Sequence, residues 1–169
     1  MISYNKALID IDGSGVKELV AWAGKEDGVL VWDKYHDGQV HDSSQYSFGT
    51  LSGDKAGLQG LKLFDSNSDG KLDMNDVLWS KLSAWQDANG NGVSDAGEMK
   101  TLTQLGIQSI NLQSSATETK PAEGVTQAGL TSATMDNGHA MMVADAAFSY
   151  VSTDPLHPFA SLYQAQGVI

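Results

Sequence analysis

The rhythm of apolar and polar positions changes twice along the chain. From Lys6 to Trp32 the apolar runs are short and are broken by turns containing Gly and Asp: Lys6–Ile9, then Val16–Trp22, then Gly28–Trp32 ending at Asp33. Runs of this length, bounded by such turns, predict strands in hairpins. Residues 47–60, SFGTLSGDKAGLQG, are rich in Gly and Ser and read as a connector. Over Val77–Gln86 the period becomes helical, with Leu78, Leu82 and Trp85 at i, i+4 and i+7. A second short helix is predicted over Glu98–Leu105, with Met99, Leu102 and Leu105 on one side and Gly106 as its stop. Ile107–Leu112 alternates in the manner of a strand, and 113–128 is a polar loop. Leu130–Met135 and Ala140–Val151 flank Asp136-Asn137-Gly138, a hairpin signal. The expected fold is α+β: short antiparallel strands and hairpins framing a small helical centre. Residues 1–152 read as a single module and 153–169, which hold two of the three prolines, as a C-terminal tail or linker.

Composition narrows the function. A chain of 169 residues, 41% apolar and with four Trp, buries a core without outside help. No apolar run approaches the roughly 20 residues that span a bilayer. The first residues lack the basic start and long apolar stretch of a cleaved signal peptide, so export is expected to use a route without one. There are no cysteines, which excludes disulfides and thiolate chemistry. Sixteen Asp and five Glu against ten Lys plus Arg give a net charge of −11. Nucleic acid is a poor partner for that surface; cations are natural ones. A monomer is expected.

The acids are not scattered. DSNSDGKLDMND begins at residue 65, and DANGNGVSDAGE begins 22 residues later. A hard cation such as calcium takes six to eight oxygens, and a 12-residue loop supplies them from positions 1, 3, 5, 7 (its carbonyl), 9 and 12, with Gly at 6. In the first loop these are Asp65, Asn67, Asp69, Lys71, Asp73 and Asp76, with Gly70 at 6 and Leu72 at the usual apolar position 8. In the second they are Asp87, Asn89, Asn91, Val93, Asp95 and Glu98, with Gly92 at 6 and Ser94 at 8. Solvated Asx-rich turns would not share this spacing. Carboxylates crowded to about 4 Å also repel by roughly 4 kcal/mol per pair at an effective dielectric near 20, which a cation relieves. At least two calcium ions are expected. Mg²⁺ is a competitor where the short Asp76 tightens the site.

Two weaker candidates lie upstream. Asp10, Asp12, Ser14 and Glu18 fit positions 1, 3, 5 and 9, with Gly15 at 6 but Ala21 at 12. Asp33 and Asp37 fit positions 1 and 5, with Gly38 at 6, while Tyr35, His41 and Ser44 stand where ligands would be. Only 10 residues separate Asp76 from Asp87, so one helix over Val77–Gln86 is expected to serve both loops and couple their ions.

The central run from Leu63 to Leu112, with its two loops, resembles the paired calcium loops of the self-processing modules in FrpC-type RTX exoproteins. LIDIDGSGVKELVAW, SFGTLSG and the Asp136-Asn137-Gly138 hairpin extend the resemblance over about residues 5–152. It implies type I secretion and folding on meeting extracellular calcium. It also implies, for self-processing members, hydrolysis of an Asp-Pro bond just ahead of the module, after which the freed aspartyl group links to a lysine amine. At the aligned place this chain has Asn5-Lys6, without the attacking carboxylate or the tertiary amide. Its one Asp-Pro is Asp154-Pro155, at the other end, which makes Asp154 the weak catalytic candidate. His36, His41, His139 and His157 form no motif. Three readings follow: a calcium-dependent folding module of a secreted or cell-surface protein, placed among its flanking domains; a calcium-triggered self-processing enzyme; or a protein-binding module like the dockerins, presenting an apolar face of the 77–86 helix.

Overall fold

The computed structural model describes residues 1–11, 13–53, 57–150 and 164–168. Among these residues eleven strands carry the fold: β1 Tyr4–Ile9, β2 Glu18–Ala23, β3 Val29–Trp32, β4 Lys71–Asp73, β5 Leu82–Trp85, β6 Met99–Thr101, β7 Ile107–Asn111, β8 Thr119–Ala122, β9 Val125–Met135, β10 Ala140–Phe148 and β11 Gln164–Val168. β1 and β2 form a two-stranded hairpin. The others form one sheet in the order β4-β7-β9-β10-β11-β3-β5-β6, with β8 also on β9. Every pairing is antiparallel.

The expected α+β fold with a helical centre is therefore wrong: the protein is mostly β. Its named helical elements are three to five residues long, among them α1 Phe48–Ser52 and α2 Gly57–Leu61. The 77–86 segment is a 3₁₀ turn at Trp79–Lys81 followed by β5. The reason is two-sided burial. Leu82, Ser83, Ala84 and Trp85 are all buried, and a strand covered on both faces shows no period of two to distinguish it from a helix. The helix over 98–105 is absent for a related reason. The Gln86 N–H donates to the Glu98 carbonyl at 2.9 Å and Trp85 pairs with Met99, so the second acidic loop closes a β5–β6 hairpin and the chain must return extended. The 47–60 connector contains α1 and part of α2, which bury Phe48 and Leu58, and the supposed loop 113–128 contains β8 and the start of β9.

Two apolar clusters lie on opposite faces of the β3–β5 pair. Val29, Val31 and Trp85 join Trp22, Tyr46 and Phe148 in the first. Leu30, Leu82 and Ala84 join Phe48, Phe64, Leu72 and Ile110 in the second. Alternation along β3 and β5 thus feeds both cores. Trp22 is the hub of the first, with ring centroids 5.2 Å from Phe148, 5.4 Å from Tyr46 and 5.6 Å from Trp85. Trp79 and Trp85 are both buried, in different clusters. That removes the apolar helix face on which a dockerin-like reading depends. In the second region Asp145, at a bulge in β10, accepts the N–H groups of Gly57 (2.9 Å) and Leu58 (3.3 Å) and so ties α2 to the sheet.

Trp22→Ala is expected to cost about 3–5 kcal/mol in urea unfolding, as large core truncations do. Leu19→Ala, on the exposed face of the same strand, should stay within about 0.5 kcal/mol.

Candidate metal centre

The two acidic loops close by the same hydrogen bonds, position for position. In the first, the Asp65 carboxylate accepts the N–H groups of Asp69 (3.2 Å) and Gly70 (2.9 Å), Asn67 accepts that of Asp69 (3.0 Å), and Asp69 accepts that of Lys71 (3.1 Å). Asp76 reaches back to the N–H groups of Ser66 (2.8 Å) and Asp73 (2.9 Å). In the second, Asp87 accepts from Asn91 (3.1 Å) and Gly92 (3.0 Å), Asn89 from Asn91 (2.9 Å), and Asn91 from Val93 (2.8 Å). Glu98 accepts from Ala88 (3.2 Å) and Asp95 (3.1 Å). Positions 1, 3, 5 and 12 therefore make equivalent bonds in both loops, and Gly70 (φ 87°) and Gly92 (φ 67°) both take the left-handed turn at position 6.

The first part of this scheme recurs upstream. Asp33 accepts the N–H groups of Asp37 (3.3 Å) and Gly38 (3.1 Å), and Asp37 accepts that of Gln39 (3.0 Å). Asp10 accepts that of Gly15 (2.9 Å), and Ser14 that of Val16 (3.2 Å). Asp12 lies outside the described residues, as does Asp154. The closing half of the Asp33 loop is spoken for: His41 Nε2 sits 2.6 Å from Asp37, and the hydroxyl of Ser44, at position 12, is bonded to Lys34 at 2.5 Å and to Asp42. The His41 contact holds the Asp37 carboxyl below its ordinary pKa. In the Asp10 loop, Glu18 is buried, and Asp10 Oδ1 is buried without a hydrogen-bond partner among the described residues.

The surroundings of the two central loops differ. Leu72, at position 8 of the first, is fully buried in the second core while β4 pairs with β7. Ser94, at position 8 of the second, is buried and its hydroxyl takes the N–H of Val40 at 2.8 Å. The apolar residue missing from that position is thus replaced by a bond to the Asp33 loop. The glycine arm of the second loop lies against β1. Leu8 N–H donates to the Gly90 carbonyl at 3.1 Å, and the Lys17 ammonium bonds the Asn91 carbonyl. Spacing reveals none of Ser66, Lys17 or Asp145 and shows Ser94 only as a departure at position 8, because each acts through a partner that the fold supplies.

Electrostatics separate the acids further. The Asn75 backbone N–H holds Asp73 below its ordinary pKa, and the side-chain amides of Asn91 and Asn89 do the same for Asp95. Asp87 goes the other way: burial pushes it up, and the charge of Glu98 adds to the rise. Among the described residues no three or more His, Cys, Asp or Glu converge as a group able to hold a metal. In the second loop the amides of Asn89 (2.9 Å) and Asn91 (2.8 Å) donate to Asp95 Oδ2, so a cation there must displace those donors. The donor set still suits a hard cation: it is all oxygen, its backbone turn is formed, and a carboxylate oxygen that accepts one N–H keeps a further lone pair.

Gly92 carries a second demand. A Cβ there would fall 2.1 Å from the Leu8 carbonyl oxygen, whereas one on Gly70 meets nothing within 4 Å. Gly70→Ala should cost about 1–2 kcal/mol, the strain of a left-handed alanine, and Gly92→Ala about 3 kcal/mol or more. Urea unfolding in chelator tests the difference; equal costs would mean that the loop does not press on β1.

The SPM domain family matches residues 1–149. Iron-regulated protein FrpA of Neisseria meningitidis serogroup C is 34% identical over 113 residues, which are 63% of this chain and 10% of that protein. The chain thus spans about a tenth of that relative's length, and both matches agree with the family resemblance read from the sequence. The chain belongs to the SPM domain family.

Proposed function

We propose that the chain is a calcium-dependent folding module of an exported, RTX-related protein. The observation that carries this reading is the identical closure of two 12-residue loops whose ligand positions bear oxygen throughout. One ion would be held by Asp65, Asn67, Asp69, Asp73, Asp76 and the Lys71 carbonyl. The other would be held by Asp87, Asn89, Asn91, Asp95, Glu98 and the Val93 carbonyl. Calcium would supply positive charge where Asp87 is buried beside Glu98.

The function follows from linkage. Loops of this class bind at about 10⁻⁴–10⁻³ M in extracellular modules, so they would be empty in a low-calcium cytoplasm and filled outside the cell. Ligand at 100 times its dissociation constant adds about 2.7 kcal/mol for one site, a large share of an ordinary domain's stability. The chain would leave the cell loosely folded and become ordered on arrival. The Asn5-Lys6 bond lies within β1, where Asn5 pairs with Trp22 and Lys6 with Ala21. A bond held in a strand ladder, without a neighbouring Asp carboxylate, is not expected to break.

Purified in chelator and then brought to a few millimolar calcium, the chain should gain circular-dichroism order and melt higher while remaining one band on a denaturing gel. Asp87→Asn and Glu98→Gln should each remove about 2.7 kcal/mol of the calcium-induced gain. Because Asp87→Asn also turns an NH2 on one of the N–H groups that the carboxylate accepts, each variant's gain is read against its own melt in chelator. A melt and spectrum indifferent to calcium would overturn the reading, and two fragments would replace it with self-processing.

A further inference from the structure

The two acidic loops hold the middle of their ligand series in different ways. In the first, positions 7, 8 and 9 are Lys71, Leu72 and Asp73, which together are strand β4 and pair with Asn111, Ile110 and Ser109 of β7. The ladder fixes the backbone on both sides of Leu72, whose side chain is fully buried. In the second, positions 7, 8 and 9 are Val93, Ser94 and Asp95, which lie in no strand. They form a three-residue turn instead, in which the Asp95 N–H donates to the Val93 carbonyl at 2.9 Å. Val93 and Asp95 are exposed, whereas Ser94, the centre of the turn, is only 3% exposed.

What holds Ser94 is the loop that begins at Asp33. The Ser94 hydroxyl accepts the Val40 N–H at 2.8 Å and, more weakly, donates to Gln39 Oε1 at 3.5 Å. That loop is itself anchored. Asp33 accepts the N–H groups of Asp37 and Gly38, and Val40 packs against the first core. Gln45, fully buried, ties the end of the loop to β3: its Oε1 takes the His41 N–H at 2.6 Å, and its Nε2 donates to the carbonyls of Gln39 (3.0 Å) and Trp32 (3.4 Å). Ser94 is therefore bonded to a fixed point, and the two ligand positions beside it are fixed with it.

We propose that the Asp33 loop is a brace for the second ion site and that Ser94 is the positioning residue through which it acts. This rests on the calcium reading above and adds to it what sets the affinity of the second site. Ordering a ligand segment costs free energy when the ion binds, and a segment already held in place avoids that cost. β4 holds the segment of the first loop from within the sheet. For the second loop the same task falls to a neighbouring loop that has Tyr35, His41 and Ser44 where ligands would be. The coupling is reciprocal: an ion that gains from the Val40–Ser94 bond strengthens that bond in turn.

Calorimetric titration of the full chain with calcium alone tests the brace, with Glu98→Gln identifying the second site and Asp76→Asn the first. Ser94→Ala should raise the dissociation constant of the second site about tenfold, the scale of one hydrogen bond, and leave that of the first unchanged. Ser94→Thr and Ser94→Val share one shape and differ by the hydroxyl, so the former should bind the second ion about tenfold more tightly than the latter. Hydrogen exchange of the Val40 amide should slow with calcium in the unaltered chain and in Asp76→Asn, but not in Glu98→Gln. Three outcomes would each overturn the brace and leave the calcium reading standing: equal constants for Ser94→Thr and Ser94→Val, a Ser94→Ala chain that keeps its second site or weakens both sites alike, or a Val40 amide indifferent to the second ion. No uptake of calcium by the unaltered chain would overturn both.

Discussion

A carboxylate that accepts two consecutive backbone N–H groups is the interaction on which the turns of this protein rest. Asp33, Asp65 and Asp87 each take the N–H groups four and five residues ahead, and Asp10 takes the fifth. The acid replaces the backbone acceptors that a helix or ladder would offer, so the chain reverses sharply without orphaned donors. The turn at Asp10 leads from β1 to β2, the one at Asp33 ends β3, and the one at Asp87 joins β5 to β6. These strands fill the two cores, so the packing inherits its connectivity from short-range hydrogen bonds. The consequence is negative charge concentrated at the turns, which is where a cation has the most effect.

How much of this was legible follows from where the information sits. The turn acids were readable because their partners lie within five residues, and the hairpin at Asp136-Asn137-Gly138 for the same reason. β5 was not. Leu78, Leu82 and Trp85 satisfy a helical spacing, yet Leu82 faces one core and Trp85 the other, and only the existence of two cores explains why. Ser94 looked like a lapse at position 8 because its partner, the Val40 N–H, is 54 residues away. Asp145 likewise carries no local signal, since the helix it holds is 87 and 88 residues upstream. Tertiary partners decided each of these positions, and no window of sequence contains them.

Replacing the expected shared helix by a 3₁₀ turn and a strand changes how the loops are related. A helix would have passed order directly from one loop to the other. The first loop instead seats Leu72 in the second core, and the second presses its glycine arm on β1 and leads out of Trp85 in the first core. What joins them is β5, whose alternate residues enter both clusters. On the proposed reading, coupling between the loops would run through the packing that β5 and β3 share.

The distribution of compensation among the acids then assigns the loops different weight. Asp73 and Asp95 are held in their charged form by N–H donors from within their own loops. Asp87 is buried with Glu98 nearby, and the hydrogen bonds it accepts do not offset the loss of water. A cation beside a carboxylate in that condition favours its charged form, and the second loop meets β1 at Leu8. On the proposed reading, an ion at the second loop therefore fixes the N-terminal hairpin against the first core, whereas the first loop, anchored by Leu72 and by the β4–β7 pairing, has other means of staying in place.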